Sequence, residues 1–90
     1  MNLRMTKQAH KFVEGLDAKQ YRQVVSTVLA LTREPSPHDS KAMHGAKHGE
    51  RRVDVGEYRI IYAFSEELVD IIVVGKRNGD EVYKIWNQSQ

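Results

Sequence analysis

The hydrophobic period of this chain changes once, and that change restricts it to one fold class. Up to Leu31 the apolar residues recur at three- and four-residue spacing; from Glu50 to Val74 they alternate or run continuously. The first pattern draws one apolar stripe along a helix, and the second places apolar side chains on one or both faces of a strand. Helices followed by a run of strands predict an α+β domain, with the helices gathered on one face of the sheet.

Residues 2–5 predict a short first strand. Thr6 is placed to cap a helix in which Ala9, Phe12, Val13 and Leu16 share a face, and Gly15 loosens its end. Asp17 with Gln20 resembles a capping box, opening a second helix whose stripe is Tyr21, Val24, Val25, Val28, Leu29 and Leu31. Pro35 and Pro37 stop that helix, because neither can donate the backbone bond that would continue it. Residues 35–49 read as the one loop-like region, with Met43 as its core anchor. Residues 51–55 and 58–64 form strands joined by Gly56-Glu57, a glycine-first pair suited to a type II′ turn. Residues 68–74 are a near-continuous β-branched run, the pattern of a central strand buried on both faces. Asn78-Gly79 turns the chain into a short terminal helix or extension over residues 80–86. The predicted order is β-α-α-β-β-β-α: a small antiparallel sheet packed on an N-terminal αα-hairpin, in a single domain covering residues 1–90.

Composition narrows the function classes. Ninety residues, 40% hydrophobic and 29% charged, fit one globular domain rather than a disordered chain. The absence of cysteine removes disulfides, thiolate catalysis and Cys-rich zinc sites, and suits a reducing cytoplasm. No stretch nears the roughly 20 apolar residues of a membrane span, and the first residues lack an apolar signal core. A cytoplasmic protein with no membrane partner is expected. The net charge is only +2, so a nucleic-acid contact must come from a few placed side chains or from a partner that supplies affinity. His44 and His48 stand four apart, but Gly45 lies between them and no carboxylate pattern supports a site; they read as loop histidines, and no metal or cofactor is expected. Trp86 is expected to pack on the sheet edge or on a partner.

The hairpin register assigns faces. With Gly56 and Glu57 in the turn, Val55 faces Tyr58, Asp54 faces Arg59, Val53 faces Ile60 and Arg52 faces Ile61. Alternation then sends Arg52, Asp54, Arg59 and Ile61 to one side, and Val53, Val55, Tyr58, Ile60 and Tyr62 to the other. The helices should cover the second set, leaving a charged strip on an uncovered face, with Arg77 emerging from the next strand's end. A cross-strand Asp54–Arg59 pair is by itself a common stabilising device, contributing roughly 0.2–1 kcal/mol. Arginines at a strand centre and a strand end are not needed for folding; guanidinium forks match phosphate oxygens bidentately and keep their charge.

The combination of Arg52, Arg59, Arg77 and Tyr83 resembles the RelE/ParE superfamily, the toxin halves of type II toxin–antitoxin modules. The resemblance runs over the two opening helices, Lys41-Ala42-Met43-His44-Gly45, the hairpin Gly56-Glu57-Tyr58-Arg59-Ile60-Ile61-Tyr62, and the closing Gly75-Lys76-Arg77 with Val82-Tyr83. It implies a RelE-like fold and, for RelE-like members, cleavage of mRNA in the ribosomal decoding site that leaves a 2′,3′-cyclic phosphate. It implies as partners a cognate antitoxin, the ribosome and mRNA, within a toxin–antitoxin hetero-oligomer. Carried onto this chain, Arg52 and Arg59 would stabilise the phosphorane. Tyr83 would act as base, its phenolate stabilised by neighbouring guanidiniums, and Arg77 would steady or protonate the leaving group. Asp54 stands where RelE-like nucleases commonly carry a second basic residue; it either tempers the site or serves as the proton acceptor. The same superfamily implies an alternative, a ParE-type inhibitor of DNA gyrase with no chemistry of its own, in which the sheet arginines are incidental.

Overall fold

The computed structural model describes residues 1–89, in the order β1 (Asn2–Met5), α1 (Lys7–Glu14), α2 (Ala18–Arg33), β2 (Lys41–Ala42), β3 (Arg51–Val55), β4 (Tyr58–Phe64), β5 (Leu68–Lys76) and α3 (Glu81–Gln88). Both helix starts carry the caps their sequences suggest. The Thr6 hydroxyl accepts from the Ala9 N–H at 3.2 Å and donates to the Ile72 carbonyl at 2.6 Å, so one residue caps α1 and ties it to β5. Asp17 Oδ1 accepts from the Gln20 N–H at 3.0 Å.

The five strands lie in the order β1-β5-β4-β3-β2. From β5 to β2 the sheet is antiparallel, as expected, and β1 joins the outer edge of β5 in parallel, Asn2 opposite Leu68 and Met5 opposite Ile71. The sheet is therefore mixed. The β3–β4–β5 hairpins set the direction of β5, and the αα-hairpin carries the chain from β1 across one face to the far edge. β2 lies inside the stretch read as a loop, Lys41 opposite Arg52 and Ala42 opposite Arg51. Two residues are too few to show an alternation. Where β1 ends, the Gln8 side-chain amide takes its place: Nε2 donates to the Val74 carbonyl at 2.9 Å and Oε1 accepts from its N–H at 3.1 Å. The edge groups of β5 thus stay paired past Met5.

The β3–β4 register is the one expected, residue for residue. Gly56 has φ 57° and Glu57 does not take a positive φ, as a type II′ turn requires. Between β4 and β5 the register slips: Ile61 faces Val73, but Tyr62 faces Ile71. Ile72 is the extra residue of this bulge.

Helices α1 and α2 cover one face. Ala9, Val13, Val24, Val28 and Leu31 pack there with Val53, Val55, Tyr58, Ile60, Tyr62, Val69, Ile71 and Val74. Two members of the expected α2 stripe do not join them: Tyr21 is 43% exposed and Leu29 50%. Leu29 is rotated off the Val24–Val28–Leu31 line, and Tyr21 stands in the first turn of α2. The opposite face is not uncovered, as the strand pattern implied. Helix α3 lies on it, packing Val82 and Trp86 with Ile61, Val73 and Met43 into a second core. Gly75 permits the approach, because a Cβ there would stand 2.8 Å from Val82 Cγ2. Trp86 accordingly packs on the sheet surface rather than its edge.

Candidate functional site: an arginine held between a carboxylate and a phenol

Arg59 sits mid-sheet on β4, on the face that α3 partly covers. Its Nε donates to Asp54 Oδ1 at 2.6 Å and its Nη2 to Asp54 Oδ2 at 3.1 Å, a bidentate pair across the β3–β4 ladder. Its Nη1 donates to the Tyr83 hydroxyl at 2.6 Å. One guanidinium therefore joins residues of β3, β4 and the first turn of α3. Arg59 Cζ also lies over the Tyr83 ring, 5.6 Å from its centroid, so a cation–π contact accompanies the hydrogen bond.

The electrostatics follow from that geometry. The hydrogen bonds from Arg59 hold the Asp54 carboxyl below the usual carboxylate range; partial burial opposes the shift, and the charges of Arg59, Arg52 and Arg77 reinforce it. Arg59 is pushed up in turn, chiefly by its bonds to Asp54. Arg52 lies half-buried opposite Ile61, and Arg77 is exposed just past β5. The Arg77 N–H donates to the Glu57 carbonyl at 2.9 Å, which fastens that corner to the β3–β4 turn. Among the described residues neither the Arg52 nor the Arg77 side chain is hydrogen-bonded within the protein. Of the five residues singled out from the sequence, Asp54, Arg59 and Tyr83 are joined by direct bonds, and Arg52 and Arg77 flank them as charges.

Three further residues belong to the setting and were missed. Lys41 pairs with Arg52 across β2–β3 and so shares its face; only the strand pairing reveals it. Gly75 pairs with Arg59 and admits α3. Glu50 is 3% exposed, its Oε1 accepting from the His48 N–H at 2.7 Å and its Oε2 from the Trp86 indole at 3.2 Å. Its signal was in the sequence, since it keeps the two-residue phase of Arg52 and Asp54. The adjacent Arg51 turns the other way and binds the Ser40 hydroxyl and carbonyl at 3.0 and 3.2 Å, a structural tie. His44 and His48 are exposed.

The site is an open face rather than a cavity. A groove of about 350 Å³ lies between α2 and β3, with Leu31, Val53 and Val55 in its lining, and it reaches the site only at Asp54. A polymer backbone can lie along such a face, and three guanidiniums and one ammonium there suit a phosphodiester. Asp54 supplies a group that can take a proton, and Tyr83 one that can give it.

The family described as ParE toxin of type II toxin–antitoxin system, parDE, matches residues 3–81. The chain belongs to that family. Solved toxins share its fold. The RelE–RelB complex from the archaeon Pyrococcus horikoshii OT3 matches with TM-score 0.74 and 24% identity, covering 86% of this chain and 94% of that one. The RelBE2 toxin–antitoxin complex of Mycobacterium tuberculosis matches at 0.71 and 25%, over 84% and 96%. A variant of the E. coli toxin RelE in the free state matches at 0.76 and 21%, over 98% and 95%. No protein of curated function matches the sequence. The expected RelE-like α+β fold and membership of the RelE/ParE toxins both hold.

Proposed function

We propose that this toxin is a ribosome-dependent mRNA endonuclease that cleaves by attack of a ribose 2′-OH on the adjacent phosphate. The observation that carries the reading is the Arg59 guanidinium bonded at once to Asp54 and Tyr83, with Arg52 and Arg77 beside it. A scissile phosphate competes with Asp54 for Arg59. As Arg59 turns to the phosphate, Asp54 loses the bonds that hold its pKa down and becomes the better base. Asp54 takes the 2′-OH proton while the 2′-oxygen bonds to phosphorus. The P–O5′ bond breaks, and Tyr83 gives its proton to the departing oxygen, its phenolate stabilised by the Arg59 Nη1–H. Arg52 and Arg77 balance the charge that builds on the phosphorane. The products are a 2′,3′-cyclic phosphate and a 5′-hydroxyl. Tyr83 is thus the acid here and Asp54 the base, because at neutral pH a carboxylate is ionised and can accept a proton, whereas a phenol still carries one to give.

A cognate antitoxin is proposed as partner, since the P. horikoshii and M. tuberculosis relatives were solved as toxin–antitoxin complexes. The ribosome supplies the affinity that a net charge of +2 does not. Two observations favour a second reading, inhibition of DNA gyrase: the matching family is the ParE one, and Asp54 occupies two of the Arg59 nitrogens. Induction in cells followed by mapping of mRNA 5′ ends separates them. In-frame cuts within translated codons support the nuclease, and gyrase-linked DNA breaks support the alternative. Arg77→Ala and Tyr83→Phe are expected to keep a near-native Tm and lose cleavage about a hundred- to thousand-fold. Full toxicity in both variants overturns the nuclease assignment.

A further inference from the structure

We infer that Glu50 and Trp86 are positioning residues for Tyr83. Two hydrogen bonds run from α3 side chains to the sheet layer beneath them: the Tyr83 hydroxyl meets Arg59 at 2.6 Å, and the Trp86 indole donates to Glu50 at 3.2 Å. Residues 83 and 86 are three apart, so both bonds leave one face of the helix, a turn apart. The apolar contacts of Val82 and Trp86 press α3 onto the sheet but are non-directional, and they leave it free to slide or rotate slightly. A directional bond removes that freedom.

Glu50 is built for this purpose. At 3% exposure a carboxylate needs its lone pairs engaged, and its two oxygens accept from separate donors, the His48 N–H at 2.7 Å and the indole. The His48 bond fixes the carboxylate relative to the β2–β3 connection, where Met43 also donates its N–H to the Glu50 carbonyl at 2.9 Å. Glu50 is thus anchored to the β2–β3 connection at both backbone and side chain, and holds Trp86 at a set place. A rigid helix carries that placement one turn back to Tyr83. The inference deepens the proposed chemistry, and it also stands on geometry alone.

The test uses the full chain, made by chemical synthesis with ¹⁵N-labelled arginine and tryptophan, so that no ribosome meets the toxin during production. Trp86 is the only tryptophan, so one indole resonance and the fluorescence maximum report its environment. The Arg59 Nε–H resonance, assigned by its loss in Arg59→Lys, reports on the Tyr83 ring 5.6 Å from Cζ, and Tyr83→Ala shows how far it moves when the ring leaves. Glu50→Leu is expected to shift the indole resonance and to move the Arg59 signal in the direction seen for Tyr83→Ala. Glu50→Gln keeps an acceptor oxygen and should return both towards wild type. Leu31→Ala, in the other core, should lower Tm without moving the Arg59 signal. If Glu50→Leu does not fold, Trp86→Phe removes the same donor and should move the Arg59 signal alike. A Glu50→Leu or Trp86→Phe protein that loses stability while Arg59 stays at its wild-type position overturns the inference. These readouts need no RNA cleavage: an inactive wild type sinks the nuclease reading alone, and an unmoved Arg59 signal sinks this one alone.

Discussion

Asp54 is the residue on which the site turns. In the resting protein it engages two of the Arg59 nitrogens, so the guanidinium proposed to bind phosphate is neutralised by a carboxylate that a phosphate would have to displace. That pair also contributes to stability, and the pH dependence has a definite sign. The folded-state pKa is depressed, so the stabilisation is fully present above the unfolded value, near ~3.9, and is lost as pH falls through the folded one. Asp54 is about one-third exposed, which limits the contribution to about 0.2–1 kcal/mol. Urea unfolding should therefore find Asp54→Asn less stable than wild type by that amount at neutral pH. The gap should shrink as pH is lowered below about 4. A gap that persists unchanged in strong acid means that something other than the ion pair is responsible.

At the scale of the element, α3 decides whether there is a site at all. It brings Tyr83 to Arg59, and it can do so because Gly75 lets Val82 settle against the strand backbone. A methyl group at Gly75 would stand 2.8 Å from Val82 Cγ2, and the branched valine cannot swing away as a long side chain would. Gly75 does not have a positive φ, so the cost of Gly75→Ala is steric contact and not backbone strain. Overpacking of this kind typically costs about 1–3 kcal/mol. The variant should be destabilised by that order in thermal unfolding, with α3 shifted and activity reduced although no polar site residue has changed. A variant with normal Tm and normal toxicity would show that α3 tolerates displacement.

At the scale of the molecule, one sheet separates two unequal cores. The α1–α2 side buries thirteen residues in its cluster and the α3 side five. β4 and β5 contribute to both, whereas α3 touches only the smaller. Local opening is easiest where the fewest apolar contacts must be broken. In native-state hydrogen exchange the α3 amides are expected to exchange through a partial opening, at a lower free energy than those of β4 and β5. The β4 and β5 amides should exchange only with global unfolding. Equal free energies for the two groups would mean that α3 opens only when the whole domain does. A separately detachable α3 would bear on the proposed cleavage, because its release removes Tyr83 while leaving the arginines in place.

The sequence alone determined what local periodicity and turn chemistry control. The αα-hairpin with its Thr6 and Asp17 caps, the Gly56-Glu57 turn, and hence the Asp54–Arg59 register could all be derived, because each depends on residues close together in the chain. The resemblance in Arg52, Arg59, Arg77 and Tyr83 named the family for the same reason: Arg59 sits in one short motif, Arg77 and Tyr83 in another, and Arg52 lies four residues before the first. What stayed hidden depends on contacts across long separations. The parallel seat of β1 beside β5, Lys41 opposite Arg52, and the bond from Glu50 to Trp86 across 36 positions carry no local pattern. Trp86 could be read as a packing residue of a terminal helix or extension, on the sheet edge or on a partner, but the surface that buries it could not. Only the folded sheet, with a glycine at position 75 beneath Val82, made that choice, and with it placed the phenol against the arginine.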